Sequence, residues 1–122
     1  MSTDLIELTF TSTTFPDTGS LWACVATCSV QAGFPGGVDV DGRLVLAHED
    51  GVVVGTERKF ELNDNRGIED PEVIEVSTTG TVNNLGAGTH RLSCSAAKTE
   101  APDPNFTIQR SSITVSCSDH HL

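Results

Sequence analysis

The sequence predicts an all-β domain built as a two-sheet antiparallel β-sandwich, of the jelly-roll kind. Three observations predict it. Gly, Ser and Thr are abundant while helix-period runs are missing, apolar residues alternate with polar ones at period two, and turn signals recur at roughly ten-residue spacing. The 122 residues suit a single domain spanning 1–122, whose last residues, 118–122, read as a frayed tail.

The first strand is expected near Leu5 to Ser12, with Ile6, Leu8 and Phe10 on one face, before Pro16-Asp17-Thr18-Gly19 turns the chain. The second, Leu21 to Ala32, carries the strongest signal: Trp22, Cys24, Ala26, Cys28 and Val30 share one face of a long half-buried strand. Asp41-Gly42 and Asp50-Gly51 read as hairpin turns bracketing a short strand, Arg43 to Ala47. Short strands are expected at Val52 to Val54, Arg58 to Leu62, Val73 to Ser77 and Thr81 to Asn83, with an acidic loop from Asn63 to Glu72. Thr89 to Ala97 turns His90, Leu92, Cys94 and Ala96 inward and is expected to form a hairpin with the last strand. In that last strand the apolar parity changes between Phe106/Ile108 and Ile113/Val115/Cys117, so an extra residue must be absorbed near Gln109 to Ser112, most simply as a β-bulge. About nine or ten strands result.

The cysteines give the sharpest inference. On one extended strand, Cys24 and Cys28 stand about 13 Å apart, beyond the ~7 Å reach of a disulfide. If bridged, each must reach another strand, either as 24–94 with 28–117 or as 24–117 with 28–94; four buried free thiols are the alternative. No Cys-x-x-Cys pair is present for a zinc ribbon or a redox site, and same-face positions so far apart cannot jointly hold one tetrahedral ion. Two bridges imply an oxidising setting, extracellular or virion.

Chemistry-bearing residues are sparse. His90 follows Ala87-Gly88-Thr89 and reads as a structural histidine bonded to a loop carbonyl. His48 is followed by Glu49 and Asp50, but consecutive residues do not converge on a point in a strand. His120-His121 lie at the tail beside Asp119. The oxygen-rich turns containing Asp39 and Asp41, and Asp64 and Asp70, are weak calcium candidates without the spacing of a calcium loop. Asn105-Phe106-Thr107 fits a glycosylation acceptor by pattern. Hydrolase and nucleotide-binding signatures are absent and nothing singles out a carboxylate pair, so no enzyme and no cofactor is expected.

A net charge of −10, from 17 acidic against 7 basic residues, repels a phosphate backbone and an anionic membrane. Met1-Ser2-Thr3-Asp4 does not read as a signal peptide, and no apolar run approaches the ~18 residues of a membrane helix. Neither nucleic acid nor membrane is an expected partner. Exposed stacking platforms are poorly supplied, because Trp22 belongs to the inward face and there is no Tyr.

The run from Gly80 through Ala87-Gly88-Thr89-His90 to Cys94, followed by Phe106 to Val115 with Arg110-Ser111 before Thr114-Val115, resembles the closing strands of small jelly-roll domains of bacteriophage structural proteins and of tumour-necrosis-factor-like head domains. The likeness covers about forty residues, and the cysteines depart from the pattern. It implies a non-enzymatic protein of a capsid, tail or fibre that docks on a larger assembly as a homo-oligomer, such as a trimer. A secreted glycan- or receptor-binding module is the alternative.

Overall fold

A computed structural model of the chain describes residues 4–34, 40–49, 51–62, 72–99 and 106–120. Among the described residues eight strands follow in order: β1 (Ile6–Phe15), β2 (Leu21–Phe34), β3 (Val40–His48), β4 (Gly51–Val52), β5 (Arg58–Leu62), β6 (Glu72–Leu85), β7 (Gly88–Lys98) and β8 (Thr107–His120). They form two antiparallel sheets. One has the order β1-β7-β3-β4 with β5 also on β3, and the other has the order β6-β2-β8. This is the sandwich the alternation predicts.

The jelly-roll winding does not follow from this pairing. Among the described residues, β3 and β4 alone pair as sequence neighbours, and every other pair is a crossover. The hairpin expected between β7 and the last strand is replaced by a passage between sheets: β7 lies between β1 and β3, and β8 lies against β2. Both strands bury one face in the same core, so each satisfies its alternation without pairing the other. The central pairs, β2 with β6 and β3 with β7, and a disulfide from β2 to β7 match the B–E and C–F arrangement of immunoglobulin-type sandwiches. The outer strands are exchanged relative to that pattern, with β1 flanking β7 and β8 flanking β2.

Of the two pairings left open by the sequence, the structure has Cys24–Cys117 and Cys28–Cys94. The first joins directly opposed residues of β2 and β8 within one sheet. The second crosses the core, with Cα atoms 5.7 Å apart. Packed sheets usually stand about 10 Å apart, so the layers close in at this bridge. Small residues make that approach possible: Ala26, Ala32 and Ala96, like both cysteines, are fully buried. Larger core side chains flank the bridge: Leu46 pairs opposite Cys94, Leu92 lies two residues before it, and Phe60 and Phe106 form an edge-to-face pair with centroids 5.4 Å apart.

Two glycines are fixed by close approach. Asp41-Gly42 is not a turn but part of β3, and a Cβ on Gly42 would lie 2.4 Å from the Phe60 ring. Gly80, inside β6, lies beneath Thr56, where a Cβ would meet the threonine methyl at 2.4 Å. Thr56 is buried and well bonded: its hydroxyl accepts from Leu46 N–H at 3.2 Å and lies 2.7 Å from the Val53 carbonyl, and its own carbonyl accepts from Thr78 at 2.6 Å.

Register departs from the alternation in two places. On β8 the pairing steps from Arg110 opposite Gln31 to Ile108 opposite Ala32, so Gln109 is the extra residue anticipated there. On β1 a second irregularity falls at Leu8, between Glu7 opposite Ser95 and Thr9 opposite Cys94. It overturns the single apolar face expected for Ile6, Leu8 and Phe10. Leu8 packs on the core, whereas Phe10 is 54% exposed. The two strands expected at 73–77 and 81–83 are one, because Gly80 continues the ladder rather than turning it. The chain expected to fray from residue 118 is strand as far as His120, paired with Leu21.

Candidate functional site

Three features of the surface carry side chains that could act on a partner or ligand. The first is the outer face of β6-β2-β8. Alternation turns Val25, Thr27, Ser29 and Gln31 of β2 away from the core, and the register aligns them with outward residues of both neighbours. The rows are Thr81/Val25/Ser116, Thr79/Thr27/Thr114 and Ser77/Ser29/Ser112, followed by Glu75/Gln31/Arg110. Eight of the nine positions in the first three rows are hydroxyls and none is charged. Thr27 and Thr79 bond through their hydroxyls at 2.9 Å. At the fourth row the face dips into a shallow depression of about 400 Å³, lined by Ser29, Gln31, Glu75, Ser77, Arg110 and Ser112.

The second feature lies on the outside of the other sheet. Arg91 of β7 grips Glu7 of β1 with both guanidinium arms, Nη1 to Oε1 and Nη2 to Oε2 at 2.6 Å, and its guanidinium carbon lies 4.0 Å from the centroid of the Phe10 ring. This fork holds the Glu7 carboxyl below its ordinary range, mainly through the hydrogen bond, and raises Arg91 reciprocally.

The third is a cluster of His48, Glu49 and His90, whose ligand atoms all lie within 4.8 Å of one another. His48 ends β3, Glu49 sits in the turn to β4, and His90 is in the first part of β7. Consecutive residues converge here because Glu49 has left the strand, which corrects the expectation drawn from extended geometry. Glu49 Oε1 lies 2.8 Å from His90 Nδ1 and 3.2 Å from His48 Nε2. Its other oxygen accepts the Arg91 backbone N–H at 3.1 Å. His90 Nε2 is 2.8 Å from the Gly86 carbonyl, the loop-carbonyl contact anticipated for it. The two imidazoles lie nearly parallel with centroids 5.8 Å apart, and Phe15, stacked at 4.6 Å on Trp22, covers His90 from the side. The His90 hydrogen bond is the leading cause of a lowered Glu49 carboxyl, aided by the Arg91 amide and the charge of the histidines.

Of the calcium candidates, Asp41 alone falls among the described residues. Asp41 lies half-buried on β3, and its carbonyl accepts from Thr99 N–H at 3.1 Å. Asp39, Asp64, Asp70, Asp50, Asn105 and His121 fall outside the described residues. Searches of protein-family models, curated proteins and solved structures found no match to the chain.

Proposed function

We propose that the chain is a non-enzymatic structural protein that docks on a larger protein assembly, in the manner of a virion decoration subunit from a capsid, tail or fibre. The carrying observation is the uncharged hydroxyl face of β6-β2-β8 in a chain whose net charge is −10. Hydroxyls can exchange water for a partner's polar groups at far lower desolvation cost than charges. The same sheet ends in β6 and β8, each 14 residues long and each paired on one side among the described residues. Such edges can add a partner's strand. Two disulfides fit an extracellular setting.

Mass spectrometry of particles purified from the source tests this reading. The chain is expected in fixed stoichiometry with shell or tail subunits, and Thr27→Lys, which puts a charge in the centre of the face, is expected to release it. Recovery only as free protein would reject the assembly role.

One observation favours a secreted glycan-binding module instead. The depression at Gln31, Glu75 and Arg110 combines amide, carboxylate, guanidinium and hydroxyl groups suited to sugar hydroxyls. Retention of the free protein on a glycan array, lost in Arg110→Ala, would select that alternative.

A further inference from the structure

We propose that His48, Glu49 and His90 form a binding site for a divalent transition-metal ion of the zinc class, independent of the hydroxyl face. The inference begins with the hydrogen bonds of one ring. The Gly86 carbonyl can only accept, so His90 Nε2 carries a proton, and in a neutral ring Nδ1 is then a lone pair. That lone pair faces a carboxylate oxygen at 2.8 Å, another acceptor. Two facing acceptors require a cation between them, either a proton or a metal ion. A third donor atom, His48 Nε2, converges on the same oxygen at 3.2 Å.

The arrangement has the parts of a metal site beyond the ligands themselves. A ligating histidine generally gives its other N–H to a carbonyl or carboxylate, as His90 does to Gly86. Ligating carboxylates are held by outer hydrogen bonds, as Glu49 Oε2 is by the Arg91 amide, which leaves Oε1 for the metal. Bonds of about 2.1 Å in tetrahedral geometry place ligand atoms about 3.4 Å apart, so the 2.8 and 3.2 Å contacts to Glu49 would open slightly and the two histidine nitrogens, which lie within 4.8 Å, would close by up to about 1.4 Å to form a coordination shell. Two imidazoles and one carboxylate suit zinc, copper or nickel and disfavour calcium and magnesium, which take oxygen ligands. Three protein ligands leave a position for water or for a donor from a partner. The bound ion would clamp the β3–β4 turn to β7.

Calorimetric titration of the full, oxidised chain with zinc chloride at neutral pH tests the site. One ion per chain is expected, with affinity lowered at least about 10-fold by Glu49→Gln, His48→Asn or His90→Asn. A chain with His120→Asn and His121→Asn is expected to bind as the parent does. Glu49 is exposed in a turn, so Glu49→Gln keeps the test open if a histidine variant fails to fold. Long-range proton–nitrogen spectra give an independent readout: zinc is expected to leave the His90 proton on Nε2 and none on Nδ1. Absence of binding at millimolar zinc, binding that survives all three substitutions, or binding lost only with the tail histidines would overturn the proposal. So would a His90 ring that zinc leaves unchanged, because the cation between the two acceptors would then be the proton alone.

Discussion

Arg91 holds Glu7 fork to fork across β7 and β1 while its central carbon sits 4.0 Å from the Phe10 ring centroid, so one guanidinium joins a carboxylate and an aromatic face on the outside of the sheet. The lowered Glu7 carboxyl gives this contact a pH signature. A carboxyl lowered on folding adds stability that is present above its unfolded value, here 4.5, and is lost as pH falls through the folded value. Acid titration of unfolding should therefore show a loss beginning below pH 4.5 that Glu7→Gln reduces, the lowered Glu49 carboxyl supplying another part. An identical acid limb in the variant would show that the fork contributes nothing measurable.

Gly80 and Thr56 should behave as a coupled pair. A methyl on Gly80 collides with the Thr56 methyl, so Gly80→Ala is expected to destabilise by about 1–3 kcal/mol. Thr56→Ser removes the obstructing methyl and keeps the hydroxyl that bonds Leu46 and Val53. In a double-mutant cycle by urea unfolding, Gly80→Ala should cost clearly less in the serine background. Strict additivity would refute the steric account.

The two bridges should be separable although their loop entropies are close. With sequence separations of 93 and 66 residues, the chain-entropy estimate is roughly 4–5 kcal/mol for each. Replacing Cys28 and Cys94 by Ala also empties fully buried volume where the sheets close in, whereas Cys117 is only partly buried. The Cys28/Cys94 double variant is thus expected to unfold at lower denaturant than the Cys24/Cys117 one. The reverse order would mean that the tie within the sheet, not the one across it, sets stability.

Gly42→Ala should be as damaging as Gly80→Ala, because the added carbon meets the Phe60 ring, with Phe106 packed on that ring. Thermal unfolding measures it. A neutral outcome would show that the aromatic pair shifts freely.

Much of this architecture is written in the alternation of single strands. In β2, Cys24, Ala26, Cys28 and Val30 are buried and Val25 and Ser29 exposed, as period two requires, and that spacing forbids a Cys24–Cys28 bridge. The change of parity before Ile113 calls for a bulge between Gln109 and Ser112, and the register puts it at Gln109. Choosing between the two disulfide pairings needs the assignment of β7 and β8 to different sheets, which no periodicity contains. Gly42 and Gly80 carry the residue type of a turn but serve close approach, a property of Phe60 and Thr56 far along the chain. The metal cluster was equally hidden: His90 is remote from His48 in sequence, and Glu49 joins them only because the hairpin bends at that residue.

Cys24–Cys117 has a topological consequence. It converts about three quarters of the chain into a covalent ring, with Cys28–Cys94 as a chord across it. A protease that cuts any one connection between β2 and β8 opens the ring without freeing a fragment. A singly nicked molecule would keep its mass until a reductant is added, apart from the water gained in hydrolysis. A protein working outside the cell could be cleaved in this way and stay in one piece.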